Sequence, residues 1–261
     1  MFKTLSEPGL AELSDEAWQL IELADLVVAD LDGCLAADNV PLPGAMHFVQ
    51  KVIDKLVVAS NNSTHSAAQL SALLQRNSLP IPAGRLVLAG ELAVRIVAEQ
   101  HPGARVMLLA TDAIREVGAS AGLQLVEGDA EVVLLARALD ARFGQWQSAV
   151  AALHAGASLV VTNPDLSHPG LDGEPRIETG ALFAMFRAVL PALQALVVGK
   201  PESAMFQAAL ALGGACAERS LMVGDNPATD IEGARRLGMQ TIHLSVTRSL
   251  NSALKKPALV N

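Results

Sequence analysis

The chain has no tyrosine, two tryptophans and six phenylalanines, so its core must be built from Ala, Val and Leu. Cysteine is equally scarce. Cys34 and Cys216 lie far apart and form no CxxC pair, which gives neither a disulfide framework nor a zinc site. Positive charge is in deficit, with 19 Lys and Arg against 27 Asp and Glu and a net charge of −8. That balance argues against a nucleic-acid polymer or an anionic membrane as partner, and any phosphorylated ligand must find its counter-charge locally. Residues Met1 to Glu16 contain no apolar signal-peptide core. The most apolar long window, Ala181 to Val198, is interrupted by Arg187, Pro191 and Gln194, so it reads as a buried helix and then a strand, not a membrane span. A cytoplasmic location is the default expectation. There is no GxGxxG, and Gly199-Lys200-Pro201 lacks the upstream glycine of a P-loop, so neither nucleotide-binding fingerprint is present.

What is there is a soluble α/β composition, 51% hydrophobic and 18% charged over 261 residues, enough for one domain with an insertion or two small domains. Short apolar strands alternate with amphipathic helices, which calls for parallel sheets with right-handed crossovers. Strands are expected at Leu26–Ala29, Lys55–Ala59 and Leu86–Leu88. Between about His101 and Arg187 the pattern begins again, with strands at Val106–Leu109, Val132–Leu135 and Ser158–Val161. This second αβ layer is expected to have its own hydrophobic core. The first style then returns, with Ala195–Val198, Ser220–Val223 and Thr241–Leu244. Residues 251–261 carry little pattern and read as a surface tail.

The stretch Val27-Val28-Ala29-Asp30-Leu31-Asp32-Gly33 organises the rest. Ligands of parallel α/β proteins sit at the carboxyl ends of strands, and here a strand runs into two acids and a glycine. Asp30 and Asp32, two apart, point to the same side of an extended segment, and Gly33 lets the chain turn sharply behind them. Three more strand ends are polar in different ways: Ser60-Asn61-Asn62, Lys200, and Gly224-Asp225 with Asp230. Acids from two strands suit a hard divalent cation such as Mg²⁺, a hydroxyl with backbone N–H groups can hold a phosphoryl group, and a lysine offsets its charge.

In order and spacing, Asp30-Leu31-Asp32-Gly33, Ser60-Asn61-Asn62, Lys200-Pro201 and Gly224-Asp225-Asn226 with Asp230 resemble the four motifs of haloacid dehalogenase-like phosphatases. The placement of the insert resembles the class with a C2-type α/β cap. Thr162-Asn163-Pro164-Asp165 resembles the NagD-like and 4-nitrophenylphosphatase-like subgroup. The resemblance implies a Rossmann-like doubly wound core from residues 1–100 and 188–261, with the cap inserted at 101–187. It implies Asp30 as nucleophile, Asp32 as acid and base, Ser60 and the Asn61 backbone as holders of phosphoryl oxygens, and Lys200 as cationic clamp. Mg²⁺ would be held by Asp30, the Asp32 carbonyl and Asp225, while Asp230 orients Lys200 or metal-bound water. Gly33, Gly224 and Asn226 would support the loops, and Asn62, Asn163 and His168 are the further candidates for substrate contact, with Asn163, like Asp165, open between a cap-loop turn and a substrate contact. By resemblance the chain can pair cap to cap as a homodimer. Cys34 departs from the threonine or valine most often found there, at a position that mainly supports the turn.

The function so implied is a Mg²⁺-dependent phosphatase acting on a small phosphomonoester (a sugar phosphate, nucleoside monophosphate, phosphoglycolate or aryl phosphate) through an aspartyl-phosphate. Transfer to a second alcohol, and non-catalytic binding of a phosphometabolite, remain alternatives at this point.

Overall fold

The computed structural model describes residues 3–169 and 174–245; the expected tail at 251–261 lies outside them. The first part of the chain forms β1 (Thr4–Glu7), α1 (Asp15–Leu23), β2 (Leu26–Ala29), a small hairpin of β3 (Ala36–Ala37) and β4 (Val40–Pro41), and α2 (Ala45–Val52). It continues with β5 (Leu56–Ser60), α3 (Ala67–Arg76), β6 (Leu86–Leu88) and α4 (Ala89–Gln100). The middle forms β7 (Arg105–Leu109), α5 (Asp112–Ser120), β8 (Gln124–Leu125), β9 (Val132–Leu135), α6 (Phe143–His154) and β10 (Ser158–Val161). The hairpin β11 (Ser167–Pro169) and β12 (Pro175–Ile177), α7 (Thr179–Val189) and β13 (Leu196–Val197) follow. Then come α8 (Ser203–Gly213), β14 (Ser220–Gly224), a wide helical turn at Pro227–Ile231, α9 (Glu232–Arg236) and β15 (Gln240–Leu244).

Local chemistry explains where the helices start and stop. The Ser14 hydroxyl accepts from the Ala17 N–H at 3.2 Å, with Asp15 and Glu16 in the first turn of α1. Ser66 and Gln69 form a reciprocal capping box at the start of α3. Gly214, left-handed, ends α8.

Six parallel strands form the first sheet in the order β1-β15-β14-β2-β5-β6. Successive side chains alternate between its faces. Val27, Ala29, Leu56, Val58, Leu221 and Val223 pack with Ile21, Phe48 and Leu70 of α1, α2 and α3. Val28, Val57, Ala59 and Met222 pack with Val94, Phe206 and Ala234 of α4, α8 and α9. This is the expected doubly wound sheet, buried on both faces.

Five parallel strands form the second sheet, β13-β10-β9-β7-β8. Two expectations about it are corrected. Its outer face does have a core of its own, where Met107, Leu109, Val133, Leu135 and Val161 meet Leu153 and Phe186 of α6 and α7. Its inner face does not: Val106, Leu108, Val132, Leu134 and Val160 join Val94 and Val97 of α4 in the core that also covers the first sheet. The strand near Ala195–Val198 also belongs to this layer, because Leu196 and Val197 pair with Val160 and Val161. The second layer therefore runs past residue 187, through all of α7 and β13. β1 was not anticipated; it lies at the sheet edge beside Thr241–Leu244. Among the described residues, no helix is long and apolar enough to cross a membrane.

Candidate active site

β2 and β14 are neighbours, and the ladder between them extends one residue past β2, where the Asp30 N–H donates to Val223 O at 2.9 Å. The backbone then turns at Gly33, whose φ of 92° lies in the left-handed region. A Cβ there would also sit 2.4 Å from Asp225 Oδ2, so glycine lets the first acidic loop close against the second. Cys34 lies in the same turn, buried, with its thiol directed to Val223 O at 3.6 Å. Burial, and then Asp30, push this thiol well above its ordinary range, so it is a neutral packing group tying the loop to β14.

Lys200 is 2% exposed and ion-paired with both Asp30 and Asp230, the latter at 2.7 Å. Burial alone would lower its pKa, but Asp230 and Asp30 outweigh burial and raise it, so it is held as an ammonium. Asp230 is placed by its own loop. Asn226 caps the turn through the Ala228 and Thr229 N–H groups and donates its N–H to Asp230 Oδ2 at 3.1 Å. The absence of a side chain at Gly224 makes room, since a Cβ there would meet Asp230 Oδ2 at 2.4 Å.

Carboxylate oxygens of Asp30, Asp225 and Asp230 lie within 4.8 Å of one another. Burial, opposed by Lys200, raises Asp30 well above the usual carboxylate range. Asp225 is pushed up to about 6 by burial and by Asp230. One ammonium does not neutralise three acids, and the excess negative charge with all-oxygen donors fits a hard divalent cation. Asp32 is solvent-accessible, yet enough protein surrounds it for desolvation to raise its pKa as well. Its carboxyl is absent from the close trio, whose third member is Asp230.

Ser60 is buried, and its oxygen accepts the Asn62 N–H at 3.1 Å, which leaves the hydroxyl proton for another acceptor. Asn61 ties the loops together. Its Oδ1 accepts the Lys200 N–H at 2.8 Å, and its Nδ2 donates to Lys200 O at 3.1 Å and Asp165 Oδ2 at 2.9 Å. Two side chains expected to touch substrate are committed elsewhere. Asn62 Oδ1 accepts from the Thr64 and His65 N–H groups, shaping its own loop. Asn163, 1% exposed, donates to Asn61 O at 2.9 Å and Thr179 Oγ1 at 3.3 Å, so it is a strut between layers.

Further bonds join the layers beside that strut. Thr111 Oγ1, after β7, donates to Thr64 O at 2.8 Å, and the Arg137 N–H, after β9, donates to Ser63 Oγ at 3.1 Å. With Asn163 after β10, the carboxyl ends of the second sheet meet residues 61–64 of the first. His168 stands on β11 with Nδ1 2.6 Å from Glu178 Oε1, which Arg137 Nε approaches at 3.4 Å. Sequence reading found His168 but missed Arg137 and Glu178, which belong to no motif and lie 41 residues apart (178 − 137).

Residues 27–124 match the model of the family described as haloacid dehalogenase-like hydrolase, and residues 197–258 match an HAD-hydrolase-like model. The chain belongs to the haloacid dehalogenase-like hydrolases. Within that family it is similar to the dihydroxyacetone phosphatase of Corynebacterium glutamicum, 28% identical over 82% of this chain and 78% of that protein. The p-nitrophenyl phosphatase from Archaeoglobus fulgidus superposes with a TM-score of 0.80 at 26% identity, covering 88% of this chain and 91% of that one. A glycerol phosphate phosphatase from Mycobacterium tuberculosis in complex with magnesium superposes with a TM-score of 0.79 at 27% identity, over 91% and 74%. These two solved structures share the overall fold described above.

Proposed function

We propose that the chain is a Mg²⁺-dependent phosphatase that hydrolyses a small phosphomonoester through an aspartyl-phosphate, acting in the cytoplasm where such metabolites are held. The observation that carries this reading is the buried Lys200 paired with Asp30 and Asp230, beside a third acid, Asp225. The named relatives, phosphatases of dihydroxyacetone phosphate, glycerol phosphate and nitrophenyl phosphate, support the same reaction class.

In this reading Asp30 attacks phosphorus while the P–O bond to the leaving alcohol breaks. Asp32, whose raised pKa suits a proton donor, protonates the departing oxygen. A water then attacks the aspartyl-phosphate, giving its proton to Asp32 and returning Asp30 as a carboxylate. The Ser60 hydroxyl and the Asn61 N–H hold phosphoryl oxygens, and Lys200, steadied by Asp230, offsets their charge. Asp30, the Asp32 carbonyl and Asp225 would hold Mg²⁺, which supplies charge neutralisation for the incoming phosphate. The second layer is the cap. Its bonds to residues 61–64 support a cap seated on the site, since movement away as a rigid body would break them.

The test is phosphate release from a panel of phosphomonoesters with and without Mg²⁺, beside Asp30→Asn. Metal-dependent release, lost by at least about 10³-fold in the variant, is expected. No release from any ester by a folded, Mg²⁺-binding protein would overturn the reading. Transfer to added acceptor alcohols in preference to water would replace it with phosphotransfer.

A further inference from the structure

The carboxyl ends of two neighbouring strands of the second sheet, β10 and β13, carry an arrangement that the hydrolytic steps leave unused. Their pairing continues beyond the strands, where the Gly199 N–H donates to Thr162 O at 2.7 Å. Lys200, after β13, is thereby set beside the turn at Asn163-Pro164-Asp165, after β10. That turn is held from within and from α7. The Asp165 N–H donates to Asn163 Oδ1 at 3.1 Å, and the Gly180 N–H donates to Asp165 O at 2.8 Å.

The Asn61 side chain reaches in from the first sheet and joins the two strand ends. Its amide spans the Lys200 backbone, accepting the Lys200 N–H at 2.8 Å and donating to Lys200 O at 3.1 Å. The second Nδ2 proton goes to Asp165 Oδ2 at 2.9 Å, so both donors of the amide are used. A side chain at residue 199 would obstruct this, since a Cβ there would lie 2.6 Å from Asn61 Oδ1 and 2.6 Å from Thr162 O. The Asn61 carbonyl is held as well, by Asn163 Nδ2 at 2.9 Å. One turn of the second layer therefore grips Asn61 by its peptide and by its amide.

Two donors assigned to the phosphoryl oxygens meet at this residue. The Asn61 N–H is its own, and the Lys200 ammonium hangs from a backbone that its amide holds. Asp30 and Asp230 fix the far end of Lys200, and Asn61 fixes the near end. Without an acceptor at residue 165, a partly buried N–H loses its partner and the amide is released to turn away from Lys200.

We propose that Asp165 is a positioning residue of the phosphoryl site, which sets the Lys200 backbone and the Asn61 N–H through the Asn61 amide and does not touch the ester. This rests on the phosphatase reading. It adds a group of the second layer that governs the rate whatever alcohol is released.

The experiment measures kcat and KM for sn-glycerol 3-phosphate and p-nitrophenyl phosphate, with Mg²⁺, in wild type, Asp165→Ala, Asp165→Ser and Asp165→Asn. Asp165→Ala is expected to lose about 10- to 100-fold in kcat, by the same factor on both esters, with KM within about threefold. Asp165→Ser, too short to reach Asn61 but suited to a turn, should lose as much and serves where the alanine variant fails to fold. Asp165→Asn keeps an acceptor of the same reach and should stay within about threefold of wild type. In a double-mutant cycle, adding Asp165→Ala to Asn61→Ala should cost less than about threefold more. A loss confined to one ester, a loss in KM alone, no loss, no rescue by asparagine, or additive losses in the cycle would each overturn the positioning role and leave the phosphatase reading intact. A wild type inactive on both esters would overturn the phosphatase reading and the positioning role with it.

Discussion

The two sheets obey the same construction rules and put their strand ends to different uses. Both are parallel, both have helices on their faces, and both present polar residues where the strands end. In the first sheet those residues are Asp30, Ser60 and Asp225, which converge with Lys200. In the second, Thr111, Arg137 and Asn163 bind residues 61–64 of the first, while Lys200, just beyond β13, reaches across to Asp30 and Asp230. The tendency of parallel sheets to bind at their carboxyl ends is thus met twice, in the first sheet for chemistry and in the second chiefly for attachment, with Lys200 as its one catalytic contribution. The strand end follows from the fold, but the side chain that stands there decides its use.

The sharpest way to separate the two uses is Gly224→Ala. The new methyl would meet Asp230 Oδ2 at 2.4 Å, displacing the acid that steadies Lys200. Loss of about 10²-fold in kcat is expected, with the second layer unchanged by amide hydrogen exchange. Phe186→Ala strikes the other sheet. Phe186 is fully buried in the outer core, and its truncation should cost ~3–5 kcal/mol in denaturant unfolding. Because α4 shares its core with both sheets, one cooperative transition is expected, and two transitions would show the sheets to be independent. Asn163→Ala, at the seam, is the smallest of the three. It removes the donor to Asn61 O and should cost about 1–3 kcal/mol, with faster amide exchange in residues 61–64. Exchange unchanged there would mean that the remaining interlayer bonds suffice.

Sequence reading reached furthest where a signal is local. The strand-and-acid junctions at Asp30 and Asp225 are written in adjacent residues, and the structure has them there. It failed where the decision is made at long range. The strand at Leu196–Val197 is apolar in either sheet, and only its pairing with β10 settles the layer. β1 has a polar pattern of its own and becomes a strand by pairing with residues more than two hundred positions away. Asn163 reads equally as a loop turn or a ligand contact, and its burial and its bonds to Asn61 and Thr179 make it a strut. Arg137 and Glu178 belong to no motif, and only the fold brings them together.

The position of α4 has a consequence for anyone recombining this chain with its relatives. Val94 and Val97 face a core supplied by both sheets, and Gly90 admits the Ser63 Cα and the Ile114 side chain so closely that a Cβ would lie 3.0 Å from each. A crossover point placed just after residue 100, where the strand and helix pattern begins again, would leave a foreign second layer lying on a native helix it never packed against. Chimeras that take Ala89–Gln100 along with the inserted layer keep that inner surface matched and move the mismatch to α8, where the first sheet continues. The natural unit of exchange is therefore longer than the insertion itself, and its first residue lies in the helix that precedes it.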